Sequence, residues 1–294
     1  MKDRHITIFI ALAIIFSLLV TVSFAQEEEE GKGTVVVRKI DSEEIIQELT
    51  KAETVPFIPD NLDVQELAGT ESGPVAPDDY EKTIFGSDDR ITVKNTSSFP
   101  YSAIAYMEVK GECGCSWTCT GFMVNKDRLL TAAHCLVCTD HSKWADRITF
   151  YFGYKNKNNY AYKYTGGWNA WVGDIFSDKE YSSDWDYGCM KLDKNVGDSV
   201  GWFGSWWGLS DSQLSSTYAY IAGYRDGLLK YDSGWIEPKD SRHITYRIDT
   251  VPGNSGGPIY TSDYYAIGIN IANNGIYNIG FRLTNTVKGD LDDL

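Results

Sequence analysis

Three residue types, each in a telling context, could together carry out acyl-transfer chemistry. Ser255 stands in GNSGGP, His134 in TAAHC, and two candidate acids, Asp184 and Asp186, in SSDWDYGCMKL. A serine hydroxyl is a poor nucleophile until a neighbouring base takes its proton. An imidazole serves as that base when a carboxylate fixes its tautomer and stabilises its charged form. The glycines beside Ser255 permit backbone conformations closed to other residues and let a substrate approach closely. Taken alone, GNSGG is more often a structural turn, and a lone histidine among alanines is as readily a core residue. Of the four histidines, His5 lies in the apolar N-terminal region, and His141 and His243 sit in polar surroundings. His134 follows the apolar run at 128–131 and precedes a cysteine. Both aspartates precede the apolar run at 187–192 and share one side of an extended chain, so the residues themselves leave the acid open.

The elements that must hold these residues read as strands. From about residue 91 onward, short runs rich in Val, Ile, Tyr, Phe, Trp and Thr alternate with Gly, Asn, Asp and Ser. Examples are 104–109, 147–154, 160–164, 217–222, 243–248 and 266–271, and no sustained 3.6-residue period appears. Many short, closely spaced strands imply an antiparallel barrel or sandwich. The nine Trp and nineteen Tyr suit a pleated, packed surface. A carbohydrate-binding aromatic platform is the sharper alternative.

The N-terminus has a different character. MKDRH leads into an apolar run that ends at Ser23-Phe24-Ala25, the pattern of a secretory signal peptide over 1–25. The run is also long enough for a retained anchor. Residues 26–82 combine EEEE, an amphipathic patch at 42–49 and a Pro/Gly-rich linker composition, and read as a pro-segment. The 294-residue chain carries 27 Lys+Arg against 41 Asp+Glu, a net charge of −14. Residues 1–82 hold 7 against 17, which leaves 20 against 24 for the rest. The catalytic part is only mildly acidic and has no basic cluster, which argues against a nucleic-acid partner. Six cysteines, at 113, 115, 119, 135, 138 and 189, favour disulfides in an exported chain. CGCSWTC and HCLVC also have metal-like spacing, but export weighs against zinc.

These segments resemble, in order, those of the trypsin-like serine endopeptidases, most closely the bacterial glutamyl endopeptidase branch. CTGFMVNKDRLLTAAHC is similar to the family's histidine segment, DWDYGCMKL to its aspartate segment, and GNSGGP to its serine segment. AIGIN and GFRLT resemble the strands that wall the specificity pocket, and TIFGSDDR and VGWFG resemble the bacterial branch. The likeness runs over about residues 83–285. It implies two antiparallel six-stranded β-barrels, at about 91–197 and 205–285 within a domain of 83–294, with a cleft between them and a short C-terminal helix. It selects Asp186 over Asp184 as partner of His134, with Ser255 as nucleophile and the backbone N–H groups of Gly253 and Ser255 as oxyanion hole. It also implies a Cys119–Cys135 disulfide, with two further bridges among Cys113, Cys115, Cys138 and Cys189. The chemistry needs no metal or organic cofactor. Substrates are expected to be extended polypeptides, the enzyme a secreted monomer, and the activator a protease that cuts after Lys82 to expose Thr83.

Two departures bear on specificity. In the glutamyl branch, a strand histidine, a threonine and the mature α-amine recognise a substrate carboxylate. Here Thr250 and the Thr83 amine are retained, but Asn270 stands at the histidine position. Asp249, six residues before Ser255, stands where trypsins hold the acid for Lys and Arg, but some glutamyl enzymes share Asp-Thr there. Asn254 replaces the aspartate of the animal activation salt bridge. Glu before the cut is the expectation, with a neutral polar or apolar preference as the rival. An inactive binding protein on the same fold is the rival from another class.

Overall fold

The computed structural model describes residues 32–38, 52–65, 67, 84–177 and 180–294. The expected signal peptide at 1–25, the patch at 42–49, Lys82 and Thr83 lie outside the described residues.

Period-two alternation builds the strands. In Lys143–Phe152, Ile148, Phe150 and Phe152 are buried, while Arg147, Thr149 and Tyr151 between them remain partly exposed. The first sheet runs in spatial order Gly33–Arg38, Trp168–Gly173, Gly188–Leu192, Arg128–Thr131, Ser116–Met123, Ile104–Gly111, Lys143–Phe152, Val137–Cys138. It curls without closing. In the second sheet, Pro258–Tyr260, Tyr218–Arg225, Leu228–Pro238, His243–Tyr246, Asn278–Arg282 and Tyr265–Asn273 follow one another. Pro258–Tyr260 pairs again with Tyr265–Asn273, which closes a six-stranded barrel. The fold is therefore chymotrypsin-like, one closed barrel beside a curled half-barrel, with a short C-terminal helix at Asn285–Asp292.

Three details differ from the sequence reading. Ile91–Thr92 pairs with Leu228–Pro238 of the second sheet, so it does not begin the first. Gly33–Arg38 runs parallel to Trp168–Gly173, and Ala52–Thr54 pairs with Gly204–Trp207. Within the segment read as a pro-segment, residues 33–38 and 52–57 thus pair with the core. Phe57 and Trp202 exchange backbone hydrogen bonds of 3.1 and 3.0 Å, and their rings stack at 4.2 Å. Backbone pairing recruits it, and pairing is blind to the Pro-rich composition around it. Last, Cys113 bridges Cys115, while Cys138 and Cys189 are in no disulfide, so one bridge accompanies Cys119–Cys135 instead of two. Cys189 is buried beneath the C-terminal helix, close to Val287, away from the other cysteines' turns.

The two sheets meet over aromatic rings. Phe203 contacts Phe122 of the first at 5.8 Å and Tyr260 of the second at 5.0 Å. The C-terminal helix then crosses back to the first sheet, where Arg128 donates to the Leu291 carbonyl at 3.1 Å.

Candidate active site

His134 and Asp186 meet because their strands are neighbours. Arg128–Thr131 and Gly188–Leu192 pair antiparallel with Thr131 opposite Gly188. His134 lies three residues past Thr131 and Asp186 two before Gly188, so both fall at the same end of the sheet. Each sits on a tight turn, His134 in the 3₁₀ turn Ala133–Leu136 and Asp186 at the end of Ser183–Trp185. His134 Nδ1 lies 2.6 Å from Asp186 Oδ2, and the His134 backbone N–H donates to Asp186 Oδ1 at 2.9 Å. Asp186 is fully buried, as is Tyr187 beside it, whose hydroxyl donates to Asp290 of the C-terminal helix at 2.5 Å. Asp184 is exposed, 3.8 Å from Arg242. Burial opposes charging of the imidazole, but the Asp186 charge and hydrogen bond outweigh it, so the pKa of His134 lies above the ordinary 6.5.

Ser255 comes from the second sheet on two consecutive turns. Asn254 N–H donates to Val251 O at 3.0 Å and Gly257 N–H to Asn254 O at 2.9 Å. Gly256 has φ +82°, and a Cβ there would stand 2.1 Å from the Thr120 carbonyl oxygen, so only glycine fits. Gly253, at φ +99°, turns the chain just before Ser255. His134, Gly253 and Ser255 line one open cleft of about 360 Å³, together with Trp117, Val137 and Pro252.

Thr120, which sequence reasoning passed over, joins the two sheets at this point. Its backbone N–H donates to Ser255 O at 2.9 Å. Its buried hydroxyl donates to Gly253 O at 2.9 Å and accepts from Tyr224 N–H at 2.9 Å. Next to it, Cys119 and Cys135 are bridged, tying this strand to the His134 turn. Asn254 is likewise held from several sides, with Oδ1 accepting from Val251 N–H and Arg90 and Nδ2 donating to Tyr224 O. Nothing in the local sequence marks Thr120, because the partners of its hydroxyl lie more than 100 residues away.

The Trypsin family profile matches residues 90–283. The chain belongs to the trypsin family. Among its relatives, the "Extracellular metalloprotease" of Bacillus subtilis is 34% identical over 218 residues, which span 71% of this chain and 68% of that protein. The glutamyl endopeptidase of Bacillus licheniformis is 29% identical over 71% of this chain and 68% of its own. The solved structure of a Glu endopeptidase in complex with MPD superposes at a TM-score of 0.59 and 27% identity, covering 72% of this chain and 98% of that one. This trypsin-family chain is thus a serine endopeptidase, similar to the bacterial glutamyl enzymes.

In this protease the pocket candidates are buried against the Ser255 turns. Thr250 and Asn270 are each 3% exposed. Asn270 backbone groups bracket the glycines after Ser255, accepting from Gly256 N–H at 2.8 Å and donating to Gly257 O at 2.9 Å. Its side-chain Oδ1 accepts the Tyr246 hydroxyl at 2.7 Å. Asp249 accepts from Phe85 N–H at 2.7 Å, which brings the segment following Thr83 against the residue next to Thr250. Burial, opposed by that N–H and reinforced by Asp232 and Asp89, pushes the Asp249 carboxyl up to about 7. Asp249 therefore resists ionisation more than an ordinary carboxylate and spends Oδ1 on Phe85 N–H.

His243, set aside in the sequence, is buried between the sheets. Its Nδ1 faces both Asp240 oxygens at 2.9 Å, and its Nε2 lies 3.1 Å from the Ser183 carbonyl, in the turn that ends at Asp186.

Proposed function

We propose that this serine endopeptidase is exported and matures from a precursor with a signal peptide at 1–25 and a pro-segment at 26–82. It cleaves extended polypeptides through an acyl-enzyme on Ser255. The observation that carries this reading is the double hold of Asp186 on His134 in a cleft shared with Ser255.

The Nδ1–H bond to Asp186 leaves Nε2 of His134 as the basic nitrogen. It takes the Ser255 proton as Oγ attacks the scissile carbonyl, and Asp186 stabilises the resulting imidazolium. The Gly253 and Ser255 N–H groups stabilise the oxyanion; loss of one such donor costs about 3–4 kcal/mol. His134 returns the proton to the leaving amine, and water then releases the acyl group by the reverse sequence.

Cleavage after Glu is the preference that fits best. Thr250, Asn270 and the α-amine of Thr83 form the carboxylate-binding set. The Tyr246 hydroxyl occupies Asn270 Oδ1 and leaves the amide nitrogen as donor to the substrate. Cutting after Lys82 by a basic-specific protease frees that amine. N-terminal sequencing of secreted, active material should begin Thr83-Ile84-Phe85, and an active form that retains residues 30–80 would contradict this maturation.

A metal-dependent route is raised by the name of the Bacillus subtilis relative. The serine route is preferred because His134 Nδ1 is committed to Asp186 and its cysteine neighbours are bridged to each other. A fluorophosphonate that reacts only with an activated serine decides. Labelling of the mature chain, lost in Ser255→Ala, is the expected result. An unlabelled mature chain would favour the metal route or an inactive binding protein.

A further inference from the structure

Two cysteine-bearing turns face one another at the rim of the cleft. Cys113-Gly114-Cys115 caps the hairpin between Ile104–Gly111 and Ser116–Met123. Gly111 N–H donates to Cys115 O and Gly114 N–H to Gly111 O, both at 2.9 Å, and Gly114 has φ +77°. Cys138-Thr139-Asp140-His141 leaves the short strand Val137–Cys138 and is closed by His141 N–H to Cys138 O at 3.2 Å. Glu112 N–H donates to Trp144 O at 3.0 Å, which fastens the first turn beside the second. As a result, the sulfurs of Cys113, Cys115 and Cys138 and a ring nitrogen of His141 all lie within 4.8 Å of one another. Cys138 Sγ is 3.2 Å from His141 Nδ1.

We propose that these four side chains form a Cys₃His zinc site. Structural zinc takes four N or S ligands in a tetrahedron with Zn–S of about 2.3 Å and Zn–N of about 2.0–2.1 Å, which sets its ligand atoms roughly 3.5–3.8 Å apart. To reach that geometry the widest pairs contract by roughly 1.0–1.3 Å, while the Cys113 and Cys115 sulfurs, bonded to each other here, separate as free thiols. Each turn supplies two ligands from one short segment, C-x-C and C-x-x-H, so the backbone has already closed both chelate loops. His141 is exposed and reaches the cluster through Nδ1, the atom already next to Cys138.

The ion and the Cys113–Cys115 bridge use the same two sulfurs, so a chain holds one or the other. Ligation starts from thiols: Zn²⁺ gains three Zn–S bonds and one Zn–N bond, three protons leave, and no electrons move. The bridge leaves Cys138 as a free, half-buried thiol, whereas the ion employs every group in the cluster. Cys115, Cys138 and His141 also border the cleft that holds His134 and Ser255. The ion therefore braces one wall of that cleft by tying the hairpin tip to the turn after the His134 segment.

The test uses the full chain carrying Ser255→Ala, which cannot digest itself, secreted from cells supplied with zinc; its readout is independent of proteolysis. The expected result is one zinc per chain by elemental analysis, with Cys119–Cys135 bridged in peptide maps. Cys113, Cys115 and Cys138 should become alkylatable only after chelation. Exchange with Co²⁺ should give a thiolate charge-transfer band and the visible bands of tetrahedral cobalt. His141→Ala removes a surface side chain without opening a cavity, and should weaken metal retention against a chelator by at least about tenfold. A Cys113–Cys115 bridge in every chain folded with zinc present would overturn the proposal. So would an unchanged cobalt spectrum in the Cys138→Ala, His141→Ala double variant.

Discussion

Asp186 holds His134 twice, by the ring nitrogen at 2.6 Å and by the backbone N–H at 2.9 Å. One carboxylate thus sets both the tautomer of the imidazole and the position of the turn that carries it. Because the side chain is fully buried, its orientation cannot relax into solvent.

The pH dependence follows from this pair. In the proposed mechanism His134 acts as the neutral base, and its pKa is held above 6.5, so kcat/KM should fall as pH drops through that raised value. Asp186→Asn should move the acid limb to lower pH and cut kcat by about 10⁴. Stability responds in the opposite sense. A raised folded pKa contributes stability fully below the unfolded value of about 6.5 and loses it as pH rises through the folded value. Rate profiles and urea melts at matched pH values measure both, and an unmoved acid limb in Asp186→Asn would contradict the assignment.

Thr120 holds the carbonyls of Gly253 and Ser255, the residues proposed as oxyanion donors. Thr120→Val keeps the shape but orphans the Tyr224 N–H and the Gly253 carbonyl, which should cost about 1–3 kcal/mol of stability. Because Gly253 carries one proposed oxyanion donor, kcat should fall while KM changes little. A merely structural role would lower the melting temperature and leave the kcat of the folded fraction intact.

Specificity is tested by matched Glu and Gln peptides. An amide at Asn270 donates a hydrogen bond but brings no charge, and charge-assisted bonds are about twice as strong as neutral ones. Glu should be preferred by a modest kcat/KM ratio, and Asn270→His should raise it. Tyr246→Phe should lower it, because the hydroxyl that orients the Asn270 amide is gone. A Gln or Leu peptide cut about tenfold faster than Glu would end the glutamyl reading.

His243 links the closed barrel to the Asp186 turn. Its Nδ1 faces the Asp240 carboxylate and its Nε2 the Ser183 carbonyl, so one ring ties the two segments together. Burial raises the Asp240 pKa, but the His243 hydrogen bond and charge outweigh it and hold the carboxyl below its ordinary value. That stability is present above the unfolded carboxyl value and is lost as pH falls through the lowered one. His243→Ala should cost about 1–3 kcal/mol and lower kcat as the Asp186 turn loosens. Urea denaturation of the variant against wild type at pH 7, with kcat in parallel, checks both effects.

The residue types and their order are legible before any fold is known: His134, an aspartate beside 187–192, and Ser255 among glycines, within strands readable from period-two alternation. Those signals are local. A strand's alternation is written in consecutive residues, and the positive φ at Gly253 and Gly256 belongs to the chain's own turns. Everything that depends on distant partners comes from the fold. It brings His134 to Asp186 rather than Asp184, through the pairing of Thr131 with Gly188. It recruits Thr120, Tyr246 and His243, and it lays residues 33–38 and 52–54 along the two sheets. It also gathers Cys113, Cys115, Cys138 and His141 into one cluster. Composition cannot encode these contacts, because hydrogen-bond partners and ligand sets are chosen by proximity in the fold, which strand register and barrel closure establish.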